Sequence, residues 1–279
     1  MNIERNIAAH YTHGALEEAI HEGLRAMGLE PAQMPLDALA GIEEFHIGGR
    51  AATEDIAAQM DLAETASVLD IGCGIGGAAR FLADRYRCRV SGVDLTPEYV
   101  AVAQALSAAV GLSERVAFRT ASATALPFED DSFDAATLLH VGMNVPDKAT
   151  LCAEAARVLR PGGVFAIYDV MRTAEGELAY PVPWAVTPET SFIEDAATYR
   201  ACLEGAGFAI MAERERRSFA LEFFAGMRAR VAESGPPPLG VHILMGPHAP
   251  VMVANMVANL EQERVAPIEM IARLNGARG

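Results

Sequence analysis

The chain has 279 residues and a formal net charge of −15. Binding to a phosphate backbone or to an anionic membrane depends on Lys and Arg side chains, so this charge argues against nucleic acid and membrane surfaces as partners. The length predicts a single domain, or one domain that carries a cap.

The chain contains four scattered cysteines and no Cys-x-x-Cys pair. This usage predicts free thiols in a reducing compartment and no metal site. The first residues carry no apolar segment of the kind that a signal peptide requires. We therefore expect a cytoplasmic protein.

Hydrophobic spacing predicts an α/β protein. Seven apolar segments are predicted as strands: 68–71, 88–94, 116–119, 132–139, 164–169, 208–213 and 268–272. Nine segments have helical spacing: 6–28, 36–39, 51–64, 78–86, 97–110, 148–159, 194–206, 221–231 and 251–262. Alternating strands and helices imply a mostly parallel sheet with helices on both faces.

Two parts of the chain fall outside that alternation and predict a helical cap. Residues 1–60 precede the first strand, and residues 61–279 form the main domain with a helical insertion around 215–265. We expect the last two strands to form an antiparallel pair on either side of this insertion.

The stretch from Val68 to Gly77 joins a buried strand to a helix through the sequence Asp70-x-Gly72-x-Gly74-x-Gly76. Glycines let the backbone turn tightly and approach a ligand. Asp94 lies 22 residues after Gly72, where a carboxylate can accept hydrogen bonds from both hydroxyls of a ribose. The alternative role of Asp94 is to cap the following helix.

Nicotinamide-dependent oxidoreductases share this arrangement, so the cofactor class depends on other residues. Asp70 precedes the first glycine, and a carboxylate there suits a ligand with an ammonium group better than one with a pyrophosphate. Two further motifs follow in order, Leu126-Pro127-Phe128 before the fourth strand and Arg160-Pro161-Gly162-Gly163 before the fifth.

With these motifs the sequence resembles the class I S-adenosylmethionine-dependent methyltransferases over about residues 66–170. The resemblance is strongest to small-molecule enzymes of the ubiquinone/menaquinone and sarcosine/dimethylglycine types. His46-Ile47-Gly48-Gly49 is similar to a loop that precedes the sheet in the latter group. The resemblance implies a Rossmann-like seven-stranded sheet and S-adenosyl-L-methionine as cofactor.

It also implies roles for individual residues. Asp70 would lie near the methionine ammonium, and Gly72 and Gly74 would let the backbone approach the methionine part. Asp94 would hold the ribose, and Leu95 would pack on the adenine.

On the adenine side this chain departs from many relatives, which carry an aspartate where Ser122-Ala123 stands here. The resemblance implies that Ser122 accepts one hydrogen bond from the adenine and that the Ala123 N–H meets a ring nitrogen. Leu139 would lie beside the methionine moiety.

Methyl transfer from a sulfonium needs alignment and exclusion of water, and a base only where the nucleophile arrives protonated. Four side chains are candidates to contact the acceptor: His46, His140, Asn144 and Tyr11. Each has a structural alternative, such as core packing or, for Asn144, a helix cap. Trp184, in a long Pro-containing loop, is a candidate to close the site, whereas Met143, Met245, Met252 and Met256 are predicted as core.

The acceptor is expected to be a small molecule, with N-methylation of a small amine preferred over C- or O-methylation of a quinone-like or phenolic compound. The rival classes are a nicotinamide-dependent oxidoreductase and a cofactor-binding module without catalytic activity. The sequence leaves open whether the protein is a homodimer.

Overall fold

The computed structural model describes residues 3–276 and contains one seven-stranded sheet in the order β3-β2-β1-β4-β5-β7-β6. The strands are β1 Ser67–Ile71, β2 Arg89–Asp94, β3 Val116–Thr120, β4 Phe133–Leu139, β5 Leu159–Arg172, β6 Phe208–Glu215 and β7 Val265–Leu274. Neighbouring strands among β1–β5 are parallel, and β7 is antiparallel to both β5 and β6. The predicted fold class and the antiparallel final pair are confirmed.

Eleven helices are seen in the described residues. They are α1 Ile3–Tyr11, α2 Leu16–Ala26, α3 Ala40–Glu43, α4 Gly49–Ala57, α5 Gly77–Tyr86, α6 Pro97–Ala109, α7 Lys148–Val158, α8 Ala196–Gly205, α9 Arg217–Ser234, α10 His242–Met245 and α11 Ala249–Glu261. Helices α1–α4 precede β1, and α9–α11 connect β6 to β7.

Both faces of the sheet are covered because side chains alternate along each strand. On one face Leu69 and Ile71 pack in a buried cluster with side chains of α7 and α8. On the other face Val68 and Val90 pack with side chains of α4 and α5. The strands are therefore buried on both sides, as their continuous apolar runs require.

The single helix predicted over residues 6–28 is wrong, because the chain turns between α1 and α2. Gly14 lies in this turn with φ +82°. The Glu98 carboxylate, on α6, accepts hydrogen bonds from the N–H groups of His13 and Leu16. A side chain more than 80 residues away thus supplies the cap at the start of α2, and local helical spacing carries no trace of it.

Other boundaries also differ from the sequence prediction, among them those of α4 and β5. Helix α4 ends at Ala57, earlier than the predicted residue 64, and Asp61 follows with φ +50°. Strand β5 extends to Arg172 because β7 pairs with it along Val164–Arg172. The longer strand carries the chain further past the edge where the other parallel strands end.

Among residues 3–276, one helical stretch, His242–Glu261, is by length and composition apolar enough to cross a membrane. It is interrupted at Gly246 (φ +63°), and 39% of its apolar window is buried in the protein. Its Met256 and Leu260 belong to the same buried cluster as Val170 of β5. These contacts are those of a helix that packs in a core.

Candidate functional site

Two adjoining cavities lie where the parallel strands end. The first has a volume of about 270 Å³ and the second about 90 Å³. All twelve site residues named from the sequence line the first cavity: Tyr11, His46, Asp70, Gly72, Gly74, Asp94, Leu95, Ser122, Ala123, Leu139, His140 and Asn144. Tyr11, Glu44, Phe45, His46 and His140 line both cavities and form their shared wall.

The glycine turn and Asp94 form the floor of the first cavity. Asp94 accepts hydrogen bonds from the N–H groups of Gly74 (2.9 Å) and Thr96 (2.8 Å) on different carboxylate oxygens. It therefore both supports the turn and contacts the start of α6. Gly72 has φ +74°, and a Cβ atom there would collide with Val141. Gly74 has φ +54° and open space where a Cβ would be, so the backbone itself faces the cavity.

Asp70 is buried in the same cavity with one oxygen satisfied. The Thr137 hydroxyl donates to its Oδ1 at 2.8 Å, whereas Oδ2 has no hydrogen-bond partner. Burial raises the pKa of Asp70 to about 7. An enclosed carboxylate oxygen without a donor fits a ligand that brings a positive charge or an N–H group.

Helix α1 lies across the opening of the first cavity. At one rim the Ser122 hydroxyl donates to Glu4 Oε1 at 2.6 Å, and Glu4 also lines the cavity. At the other rim the Tyr11 hydroxyl donates to Asn144 Oδ1 at 2.8 Å. Glu4 thus places a carboxylate beside Ser122, the position at which the sequence departs from its relatives.

Asn144 joins α1 to the long loop after β5. Its amide nitrogen donates to the carbonyl of Trp184 at 2.9 Å, while its oxygen accepts from Tyr11. The alternative role of Asn144 as a helix cap is wrong, because Asp147 accepts from the N–H of Thr150 at the start of α7. Trp184 is 3% exposed and lines the second cavity, so the long loop after β5 covers that cavity.

His46 and His140 face each other across the shared wall, with ring centroids 5.9 Å apart. The Ile47 N–H donates to His140 Nδ1 at 3.1 Å, and His140 Nε2 is buried without a partner. Burial lowers the pKa of both imidazoles, for His140 well below its ordinary value. Both rings are therefore neutral at pH 7.

Apolar side chains dominate the second cavity. Beside the shared wall it is lined by Ile47, Met143, Val170, Pro183, Trp184, Phe223, Phe224, Met227, Val241, Met245, Val253 and Met256. The prediction that Met143, Met245 and Met256 only pack in the core is corrected, since they face this cavity. No Lys or Arg lines it among the described residues.

Sequence reasoning missed several polar residues of the site, of which Glu4, Glu44 and Tyr99 are the most relevant. Glu4 and Glu44 line the first cavity, as does Tyr99, whose hydroxyl is buried without a partner. Tyr99 lies in the first turn of α6, five residues after Asp94, and this proximity in sequence could have indicated it. Nothing in the sequence marks Glu4 or Glu44. Across residues 3–276, no group of three or more His, Cys, Asp or Glu side chains could hold a metal ion.

The sheet order arranges the lining residues in a line. Ser122 follows β3, Asp94 ends β2, the glycine turn follows β1 and His140 follows β4, and these strands are neighbours in that order. Neighbouring strands lie about 4.8 Å apart, so the line spans about 14 Å. A ligand bound along this edge is elongated, and its end at β4 meets the shared wall. This is the ligand position of nucleotide-binding α/β folds.

Comparison with known proteins assigns the class. Residues 69–167 match the model of a methyltransferase domain. The chain is 34% identical over 165 residues to the methyltransferase GfsG of Streptomyces halstedii, which covers 57% of each chain. It is 42% identical over 96 residues to a probable tocopherol O-methyltransferase of rice, covering 34% of this chain and 26% of that protein.

Structural similarity to a solved methyltransferase extends over nearly the whole chain. The geranyl diphosphate C-methyltransferase of Streptomyces coelicolor A3(2), solved with Mg²⁺, geranyl diphosphate and S-adenosyl-L-homocysteine, superposes with a TM-score of 0.72 at 16% identity. The superposition covers 98% of both chains. The match over residues 69–167 assigns that segment to a methyltransferase domain rather than to a nicotinamide-dependent oxidoreductase. The chain spans about half the length, or less, of the curated relatives it matches.

The residues that line the first cavity are chemically suited to bind S-adenosylmethionine. The unpartnered Asp70 Oδ2 suits the methionine ammonium, and the open side of Gly74 suits a closely approaching backbone of the ligand. Each oxygen of Asp94 keeps a lone pair for a ribose hydroxyl, because each accepts one backbone N–H.

Proposed function

We propose that this protein transfers the methyl group of S-adenosylmethionine to a small molecule bound in the second cavity. The observation that carries the proposal is the shared wall. It places an apolar cavity at the β4 end of the elongated first cavity, where Tyr11, His46 and His140 line both spaces. When bound, the cofactor supplies an electrophilic methyl group. The residues of this chain align it with the acceptor and exclude water.

We assign the cofactor contacts as follows. Asp70 holds the ammonium, Gly72 and Gly74 admit the methionine part, and Asp94 binds the ribose hydroxyls. Leu95, Ser122 and Ala123 surround the adenine, while Leu139 lies beside the methionine part, and all four line the first cavity.

We assign the acceptor side to the shared wall and the closing loop. Tyr11, His46 and His140 contact the acceptor, and Asn144 holds Tyr11 and the Trp184 loop in position through its two hydrogen bonds. Residues 1–60 and the insertion around 215–265 act as the cap, since these two segments supply most of the side chains that line the second cavity.

The lining of the second cavity favours a neutral, apolar acceptor. A phosphate group would need Lys, Arg or a bound cation, and no Lys or Arg lines this cavity among the described residues. A small ammonium compound would need an uncompensated carboxylate. The one carboxylate in the wall, Glu44, already accepts from Arg50 and Thr53. The phenolic or quinone-like acceptor is thus favoured over the small amine.

Calorimetry and turnover test the proposed function together. We expect S-adenosylhomocysteine to bind and NAD to show no binding. We also expect methyl transfer from labelled S-adenosylmethionine to members of a panel of phenols, quinols and amines. Binding without any turnover would instead identify a cofactor-binding module, and absence of binding would refute the proposal.

Replacing Asp70 by asparagine should remove a pH dependence of cofactor binding. Because burial raises the pKa of Asp70 to about 7, the carboxyl group is partly protonated in the free protein at neutral pH. The ammonium binds the ionised form, so affinity for S-adenosylhomocysteine should rise between pH 6 and pH 8, with release of a proton. Calorimetry in buffers of different ionisation enthalpy measures that proton.

Through Asp70, a rise in pH lowers the folding stability, whereas it raises the affinity for the cofactor. A folded-state pKa above the ordinary value of 3.8 means that the free folded protein binds more protons than the unfolded chain between about pH 4 and 7. The contribution of Asp70 to stability is therefore lost as pH rises through about 7, and Asp70→Asn should flatten this part of the stability profile. If S-adenosylhomocysteine binding depended on pH in Asp70→Asn as it does in the native protein, the role of Asp70 in holding the ammonium would be contradicted.

Glu4→Gln should weaken cofactor binding by about tenfold, the scale of one hydrogen bond to a charged group. The adenine amino group donates hydrogen bonds, and Glu4 brings a carboxylate to the adenine end beside Ser122. The inosine analogue of S-adenosylhomocysteine has a carbonyl in place of that amino group, so its affinity should change little. Glu17→Gln, in the exposed first turn of α2, is the matched control. Equal losses for both ligands would contradict this role.

We also propose that the protein acts in the cytoplasm on a small molecule, without membrane or nucleic-acid partners. The acidic net charge of −15 and the four free cysteines support this proposal. A homodimer remains an expectation for which sedimentation analysis is the test.

A further inference from the structure

We propose that His46 is the general base of the reaction, that it accepts the proton at Nδ1, and that the acceptor is therefore a hydroxyl compound of phenol-like acidity on an apolar skeleton. This inference rests on the proposed methyl transfer. It names an atom, a protonation state and a nucleophile class for the same site.

The hydrogen bonds of His46 determine its tautomer. His46 Nε2 lies 3.1 Å from the carbonyl oxygen of Gly49, which can only accept. It also lies 3.0 Å from Thr53 Oγ1, whose own hydrogen is donated to Glu44 Oε2 at 2.8 Å. Both neighbours of Nε2 therefore act as acceptors, so Nε2 carries the hydrogen. In the neutral ring Nδ1 then has a free lone pair.

The free nitrogen belongs to the shared wall. His46 lines both cavities, and its Nδ1 makes no hydrogen bond within the described chain. Unlike His140 Nε2, it is not among the fully enclosed atoms without a partner. A base at this wall lies between the β4 end of the first cavity and the acceptor space.

Thr53 and Glu44 act on His46 as positioning residues. The chain Glu44–Thr53–His46 orients the ring, and Glu44 Oε2 lies 3.6 Å from His46 Nε2. This carboxylate stabilises the imidazolium formed when Nδ1 takes a proton, whereas Arg50 opposes it. The other ionisable rings that face His46 are His140 and Tyr168.

His140 is unsuited to the same task. Its Nδ1 already accepts the Ile47 N–H, so its Nε2 carries the hydrogen and the ring has no free lone pair. The structure thus assigns complementary states to the two imidazoles, with His46 as an acceptor of a proton and His140 as a donor of a hydrogen bond. A hydroxyl group can use the free lone pair of His46, because its hydrogen is donated.

The proposed step balances with the acceptor and the methyl donor as its only reactants, and His46 takes the proton. The acceptor O–H bond breaks and its proton moves to His46 Nδ1. An oxygen electron pair forms the new bond to the methyl carbon, and the carbon–sulfur bond breaks with its pair remaining on sulfur. The products are a methyl ether, S-adenosylhomocysteine and an imidazolium, which later releases its proton to water.

Nitrogen NMR of the ring-labelled free protein tests the tautomer independently of activity. We expect the His46 signals, assigned by their loss in His46→Gln, to show hydrogen at Nε2 and none at Nδ1. Thr53→Ser keeps the hydroxyl and should keep this tautomer, and Thr53→Val should also keep hydrogen at Nε2, because the Gly49 carbonyl remains as its acceptor. A His46 ring with hydrogen at Nδ1 in the native protein would overturn the inference.

Turnover of matched phenols and anilines, including 1-naphthol and 1-naphthylamine, tests the nucleophile. We expect methylation of phenols, and His46→Gln should lower kcat about 100-fold or more, the scale of general-base catalysis, with binding of S-adenosylhomocysteine within twofold. The defect should shrink for nitrophenols that are already ionised at the assay pH. A role in structure alone would give no such dependence on phenol acidity.

The outcomes separate this inference from the proposed function. Methylation of anilines but not phenols, or a defect that ignores phenol acidity, overturns the role of His46 and leaves methyl transfer intact. Failure of the native protein to bind S-adenosylhomocysteine overturns the proposed function itself.

Discussion

Glu43→Ala is expected to lower the free energy of unfolding by about 3–5 kcal/mol, the cost of removing one partner from a buried ion pair. Arg80 is fully buried on α5, and its guanidinium donates to Glu43 Oε2 at 2.7 Å. Burial raises the pKa of Glu43, while Arg80 opposes this shift. Without Glu43 the arginine keeps only Ser107 and a backbone carbonyl as acceptors.

Urea denaturation monitored by circular dichroism measures this loss. The control is Glu18→Ala, which breaks an ion pair of similar length with Arg25 (3.1 Å) in which both side chains are more than half exposed, and should change stability little. The double variant with methionine at both 43 and 80 should recover much of the loss, since neither charge of the Glu43–Arg80 pair is then left buried without its partner. Equal effects of Glu43→Ala and Glu18→Ala would show that the buried pair does not join α3 to α5.

Asp94→Ala is expected to weaken S-adenosylhomocysteine binding by about 10- to 100-fold, because hydrogen bonds to a charged group contribute about 1.5–3 kcal/mol. The carboxylate faces the first cavity and also supports the glycine turn through Gly74. Calorimetry measures the affinity, and thermal unfolding of the free protein measures the share of the loss that comes from the turn.

Asp195→Ala is the matched control for Asp94. Asp195 caps α8 by accepting the N–H of Thr198 at 2.8 Å and lines neither cavity. Its loss should cost about 1 kcal/mol of stability and leave affinity unchanged. Unchanged affinity in a folded Asp94→Ala protein would refute the ribose contact.

Much of the sheet was predictable because strands and glycine turns are local. Apolar runs of four to eight residues, each ended by a turn, predict β1–β4 nearly to the residue. Glycine adopts positive φ readily, so the residue type itself predicts the positive φ of Gly72, Gly74 and Gly76. Parallel strands bring their carboxyl ends to one edge, so candidates from distant parts of the sequence could be placed in one cavity.

The helices that close the site were predicted less well because their ends depend on distant contacts. Glu98 caps α2 across more than 80 residues, and no periodicity records such a contact. The second cavity combines Met143, Trp184 and Met256, whose apolar side chains look like core residues in the sequence. The space between these side chains arises from the tertiary packing, which the sequence pattern does not show.

The sequence by itself determined the order of strands and helices, the glycine turn, Asp94 and the methyltransferase resemblance, because each depends on residues close together in the chain. The tertiary structure alone decided that Glu4 reaches Ser122 and that an apolar cavity meets the first one at His46. It also decided which nitrogen of His46 is free, since the acceptors Gly49 and Thr53 beside Nε2 set the tautomer. A protonation state depends on the neighbours in space, and the sequence does not name them.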